Sequence, residues 1–190
     1  VPASLFKLSP NCDTFIIRLT FYVVTQTPQV LLRMAFPEPY PIEHWPKSAV
    51  DCLGWEFDWF CVDRHGFMAV LTTAARGHIP ESFFQTSAQE YNVIISVLAS
   101  RETCKGMRVT TESGKLSDWE VYSQHGLFAF DFQDVHRPLS KARNGYDLIY
   151  KPFRPAHQSE LPESTRHCFP IIETDFSLID FLPLSLLPAL

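Results

Sequence analysis

Glu56-Phe57-Asp58-Trp59-Phe60-Cys61-Val62, then Asp63-Arg64-His65-Gly66, then Phe67-Met68-Ala69-Val70-Leu71-Thr72, is the run whose reading decides the fold. The outer pieces are rich in aromatic and branched strand formers. The middle piece supplies turn chemistry, with glycine where a positive φ is needed, so the run predicts a β-hairpin. Both arms are almost continuously apolar instead of strictly alternating. Such strands sit centrally in a sheet, with at least part of both faces covered.

The cover on one face follows in the sequence. Phe84, Ala88, Tyr91, Ile95 and Leu98 recur at steps of four and three, the stripe of an amphipathic helix. Pro80 and Glu81 suit its first turn, which predicts a helix over 81–99. Residues 100–117 read as a loop. Asp118-Trp119-Glu120-Val121-Tyr122 then leads into Gly126–Phe132, where Phe128, Phe130 and Phe132 alternate with Leu127, Ala129 and Asp131, a strand with one aromatic face. Tyr146–Lys151 is a fourth strand ended by Pro152. A helical turn over 160–165 and a short strand over 169–172 complete the series. The expected fold is α+β: a largely antiparallel sheet of strands near 57–62, 67–72, 127–132 and 146–151, with one main amphipathic helix packed on one face.

Residues 1–50 differ from the rest. Prolines at 2, 10, 28, 37, 39, 41 and 46 break any helical period, and the cluster at 37–46 forces an extended connection. Strands over 14–24 and 29–34 would make this a hairpin. Alternatively, Met34-Ala35 would serve as a translation start, making residues 1–33 an extension. The expected organisation is therefore a Pro-rich N-terminal extension or hairpin (1–50), an α+β core domain (51–180) and a proline-broken apolar tail (181–190).

The 190-residue chain carries 16 Lys and Arg against 21 Asp and Glu, a net charge of −5, which argues against a nonspecific nucleic-acid binder. The seven glycines, at 54, 66, 77, 106, 114, 126 and 145, are too dispersed for a dinucleotide fingerprint or a P-loop. Cys12, Cys52, Cys61, Cys104 and Cys168 form no C-x-x-C pair, so neither a disulfide framework nor a structural zinc site is expected and a cytoplasmic setting fits. No stretch reads as a membrane span, and no cofactor is expected.

Two Asp-x-His pairs stand out, Asp63/His65 and Asp134/His136, each just beyond a predicted strand. If they converged, the four side chains would hold a hydrolytic divalent metal. The turn geometry already accounts for Asp63. No G-x-S-x-G elbow places a serine nucleophile. His167 and Cys168, read as neighbours on extended chain, would point to opposite faces and form no thiol–imidazole pair. Asp58, Asp63, Asp131 and Asp134, read as exposed strand ends, would form an acidic rim suited to Lys and Arg side chains. Trp55, Trp59 and Trp119 are the candidate anchors of such an interface.

Asp58-Trp59-Phe60, Val62-Asp63, Gly66 and Gly77-His78-Ile79-Pro80-Glu81 resemble a group of small bacterial proteins of uncharacterised function. Gly126-Leu127-Phe128 before Asp131, Tyr146 before Lys151-Pro152, Leu161-Pro162 and Phe169-Pro170 extend the resemblance over about residues 55–172. In general character such small acidic bacterial proteins are similar to immunity proteins, which bind and block a toxin. The resemblance carries over no catalytic residue.

Charge and composition thus predict a non-enzymatic binding protein whose acidic surface meets a basic partner, and the resemblance implies that it is bacterial and an immunity-type inhibitor with a toxin as that partner. It leaves two alternatives. One is a metal-dependent hydrolase using Asp63, His65, Asp134 and His136. The other is a structural or oligomeric subunit that docks through its apolar C-terminus.

Overall fold

Asp63, at the end of the first hairpin arm, fixes the hairpin. Its Oδ1 accepts the backbone N–H groups of His65 (2.9 Å) and Phe67 (3.0 Å), and Gly66 takes φ +85°, so the chain reverses with every local donor satisfied. The arms are β1 (Asp58–Asp63) and β2 (Met68–Thr72), paired antiparallel from Asp58 opposite Thr72 to Val62 opposite Met68. A computed structural model of the chain describes residues 36–37, 39–109, 117–132 and 143–188. The strands proposed for 14–34 and the residues Asp134 and His136 lie outside them.

The helix is shorter than predicted. Glu81–Gln85 forms a 3-10 turn, and α1 runs from Ala88 to Ala99. The break falls at Ser87, whose hydroxyl accepts the Glu90 N–H (3.2 Å) while the Glu90 carboxylate accepts the Ser87 N–H (2.8 Å). This capping box starts a new helix, which the apolar spacing alone could not place. Ala88, Tyr91, Ile95 and Leu98 of the predicted stripe are buried, as is Ile94.

Two further departures occur beyond α1. Gly106–Arg108, assigned to a loop, forms β3, and Ser117–Gln124, read as a lead into a strand, forms α2. Then come β4 (Phe128–Phe132), β5 (Gly145–Pro152), the single-turn helix α3 (Glu163–Arg166), β6 (Ile171–Ile172) and β7 (Phe181–Pro183).

The fold is α+β, but the sheet is mixed and not largely antiparallel. Its order is β3-β5-β4-β2-β1-β6, with β7 also on β5, and the β2–β4 and β1–β6 pairs are parallel. A parallel return needs a long crossover, which the segment from β2 through α1 and α2 supplies. Tyr91 of α1 stacks near Phe60 (5.2 Å between centroids), and α2 lies over the same face. On the other face Phe176 packs against Phe128 and Phe130. With both faces covered, β2 and residues 59–63 of β1 are buried throughout.

Residues 36–37 and 39–57 also belong to this packing. Tyr40, Trp45 and Phe57 meet edge to face at 5.4–5.9 Å, and Trp45 lies 4.9 Å from Tyr91. The Trp45 indole N–H donates to the Thr86 carbonyl (2.7 Å), which ties the segment to the start of α1. Among the described residues no helix is long and apolar enough to cross a membrane.

Candidate functional site

The strand register lines up four polar residues. Asp58 of β1 is opposite Thr72 of β2, Thr72 opposite Asp131 of β4, and Asp131 opposite Asp147 of β5. Directly opposed residues share a face, so this row runs across the sheet on the side that α2 covers. Helical spacing brings Trp119 and Tyr122, three apart on α2, down onto it together. The Tyr122 hydroxyl donates to Asp58 Oδ2. The Trp119 indole N–H donates to Thr72 Oγ1 (3.1 Å), and that hydroxyl donates to Asp131 Oδ1 (2.8 Å). Arg143 pairs with Asp147 and also lies 4.0 Å from the centre of the Phe181 ring.

Asp131 and Asp147 are buried, at 1% and 2% exposure, and Asp58, half-buried as a residue, has its carboxyl group enclosed by protein. Desolvation lifts the Asp58 carboxyl to about 7, against the opposing donation from Tyr122, and the nearby acids Glu56, Asp118 and Asp131 push the same way as burial. The Tyr122 phenol is driven well above its usual range, first by burial and then by Asp58. These carboxylates are therefore interior polar structure, in contrast to the exposed rim expected from sequence. The expectation failed because the row's partners, Tyr122, Trp119 and Arg143, come from segments remote from or beyond the strands that carry it.

Asp63 is likewise buried, at 1%. Besides capping the hairpin it accepts the Phe176 N–H at Oδ2 (3.3 Å), so backbone amides engage both of its oxygens. His65 turns its Nε2 outward to Asp175 (3.6 Å) and Arg64 (3.1 Å). The proposed metal quartet is thus not assembled by Asp63 and His65, and its other half lies outside the described residues. Of the tryptophans, Trp59 is fully buried, Trp119 is half-buried on α2, and Trp55 is 70% exposed.

Trp55 marks a different surface. It lines a cleft of about 700 Å³ with Tyr40, Trp45, Phe57 and the acids Glu43, Asp51 and Glu56. Val50 (72% exposed) and Leu53 (67%), in the short turn segment just before Trp55, are also exposed. Asp51 accepts the Lys47 N–H (2.9 Å) and the Ser48 hydroxyl (3.2 Å), which hold its carboxyl below the usual range and so ionised. The loop beneath is held by a strained connection. Ala74 and Ala75 both take positive φ, at 46° and 61°, and the Ala75 carbonyl accepts the Gly54 N–H (3.3 Å) next to Trp55.

His167 and Cys168 correct another expectation. They follow α3 and not an extended strand: His167 has φ −70° and ψ −13°, and the helical bend brings its Nε2 to 3.8 Å from Cys168 Sγ. The Cys168 thiol is raised above its ordinary value, chiefly by burial and secondly by Glu90. That is the environment of a resting thiol.

Comparison with protein-family models, curated proteins and solved structures finds no match.

Proposed function

We infer that the chain is a non-enzymatic binding protein that docks a basic protein partner on the surface around Trp55. The observation that carries this reading is the cleft itself, where an exposed tryptophan and three acids share the lining, with the exposed Val50 and Leu53 a few residues away in the chain. Large apolar side chains left exposed beside a cleft are a mark of interaction sites, and tryptophan is enriched among the residues that dominate binding at an interface. Glu43, Asp51 and Glu56 against Lys47 give the cleft a negative bias. A Lys or Arg side chain entering it would meet carboxylates and the faces of Trp55 and Tyr40. The general likeness to small acidic bacterial proteins extends the reading to an immunity-type inhibitor, with a basic toxin as the partner.

The test is a binding titration against the purified basic protein encoded beside this chain's gene, with Trp55→Ala and with the pair Glu43→Lys and Glu56→Lys. Loss of the tryptophan should weaken the complex by about 2 kcal/mol or more. Charge reversal should slow association most at low salt. A neighbourhood encoding no basic protein, or a complex indifferent to both sets of changes, would overturn the reading.

A further inference from the structure

We propose that Glu90, His167 and Cys168 form a binding site for a zinc-class divalent cation. Among the described residues they are the one group of this kind, with one ligand atom from each lying within 4.8 Å of the others. The separations match the chemistry. His167 Nε2 lies 3.8 Å from Cys168 Sγ and 3.4 Å from Glu90 Oε1. A tetrahedral zinc ion with ordinary Zn–S, Zn–N and Zn–O lengths holds such pairs about 3.6 and about 3.3 Å apart. The His167 side chain is 63% exposed and so has room to adjust toward an ion that the Glu90 and Cys168 atoms, no more than 4.8 Å apart, would share with it.

The fold prepares each ligand separately. The two oxygens of Glu90 are divided: Oε2 accepts the Ser87 N–H (2.8 Å) and hydroxyl (2.7 Å), which leaves Oε1 for His167 and the ion. An outer hydrogen bond that orients a ligating carboxylate is a recurrent part of metal sites. Cys168 is fixed through its carbonyl, which accepts the Thr86 hydroxyl (3.1 Å), so the residues beside the α1 cap hold two of the three ligands. His167 is set by the turn that ends α3.

The donor set selects the metal. One thiolate, one imidazole and one carboxylate suit zinc or cobalt and are too soft and too few for magnesium or calcium. Three protein ligands leave a fourth position, on the exposed His167 side, for water or for a group from outside. Binding would displace the thiol proton of Cys168 to solvent and clasp the start of α1 to the end of α3. The site lies outside the polar row and outside the Trp55 cleft, and it does not depend on the docking function proposed above.

Cobalt(II) titrated into the reduced full chain is the direct probe, because a thiolate ligand gives a sulfur-to-metal charge-transfer band and tetrahedral geometry gives intense visible absorption. One cobalt per chain should bind with both features, and added zinc should abolish them. Cys168→Ser should remove the charge-transfer band while Cys104→Ser retains it. His167→Ala, a change at an exposed side chain, should weaken uptake at least tenfold with the fold intact by circular dichroism. Absence of uptake would reduce the cluster to a plain Glu90–His167 ion pair and overturn the proposal. So would a charge-transfer band that survives Cys168→Ser, or uptake that His167→Ala leaves unchanged.

Discussion

The Tyr122 hydroxyl, on α2, donates to the carboxyl of Asp58, the first residue of β1 and 64 positions earlier in the chain. A helix and a hairpin are thereby joined through one enclosed acid whose carboxyl lies near 7. The direction of the resulting pH dependence follows from linkage. Below an ordinary aspartate value near 4 both folded and unfolded chains hold the proton, and the contribution to stability is complete. Between about 4 and 7 only the folded chain keeps it, so stability falls as pH rises, levelling off above 7, for a total of at most about 4 kcal/mol. Asp58→Asn removes this dependence. Urea denaturation of both proteins at pH 5 and pH 8 measures it: the wild-type advantage should shrink by a few kcal/mol over that interval, whereas parallel pH curves would show that Asp58 does not titrate there. Contributions from groups the two proteins share, such as His125, which burial depresses, cancel in the difference.

Tyr122→Phe deletes the donor that favours the ionised acid. The Asp58 titration, followed by carboxyl carbon NMR, should move to higher pH. Stability at pH 8 should drop by about 1–3 kcal/mol, the cost of stranding a buried acceptor. An unmoved midpoint would mean that the hydrogen bond does not set the acid's strength.

Tryptophans four positions apart should respond oppositely to truncation. Trp59 is fully buried, packs near Phe83 and Tyr146, and its loss to alanine should cost about 3–5 kcal/mol. Trp55→Ala should change stability by no more than about 0.5 kcal/mol, because that side chain is mostly in water. Chemical denaturation of the two variants decides the matter, and a large loss at Trp55 would assign it to the core and not to an interface.

Ser87→Ala removes the reciprocal cap at the start of α1 and should lower the thermal midpoint by the equivalent of about 1 kcal/mol, with little change in helix content at low temperature. Ser87→Thr should retain most of that stability, since its hydroxyl can both accept the Glu90 N–H and donate to the Glu90 carboxylate.

Gly145 opens β5 at a close approach, where an added Cβ would lie 2.2 Å from the Leu182 carbonyl oxygen and 2.7 Å from the Phe181 ring. Gly145→Ala should therefore loosen the β5–β7 pairing and destabilise the chain by about 1–3 kcal/mol through overpacking. Limited proteolysis should detect earlier cleavage within 173–188 in this variant, and unchanged resistance would show that the backbone yields without loss of pairing.

How far the sequence discloses this architecture depends on the reach of each interaction. The hairpin is legible because Asp63 and Gly66 close it within a few residues. The stripe Ala88, Tyr91, Ile95 and Leu98 is legible because it repeats, although its capped start at Ser87 is visible only when Glu90 is read as the cap's second member. The parallel β2–β4 pair is not legible, since nothing local dictates which strand a chain rejoins after a crossover. The helix α2 was hidden because its eight residues are too few to display a period, and its one clue was the spacing of Trp119 and Tyr122. The burial of Asp131 and Asp147, and the half-burial of Asp58, run against ordinary expectation for charged residues, and only the assembled register explains them. Residue type alone marks Trp55 as a candidate anchor, whereas its exposure is a property of the folded loop and is not legible in the sequence.

The way the sheet ends has a consequence for behaviour in solution. β6 offers two residues, and the outer side of β5 is divided between the three-residue strands β3 and β7, one at each end. Long unpaired rims recruit other chains into shared ladders, and the described residues leave only stubs at the periphery. Among the described residues the backbone therefore offers little to template an added strand, so that self-association through this part of the chain, if forced by concentration, would proceed through side chains such as the exposed Trp55 and remain reversible.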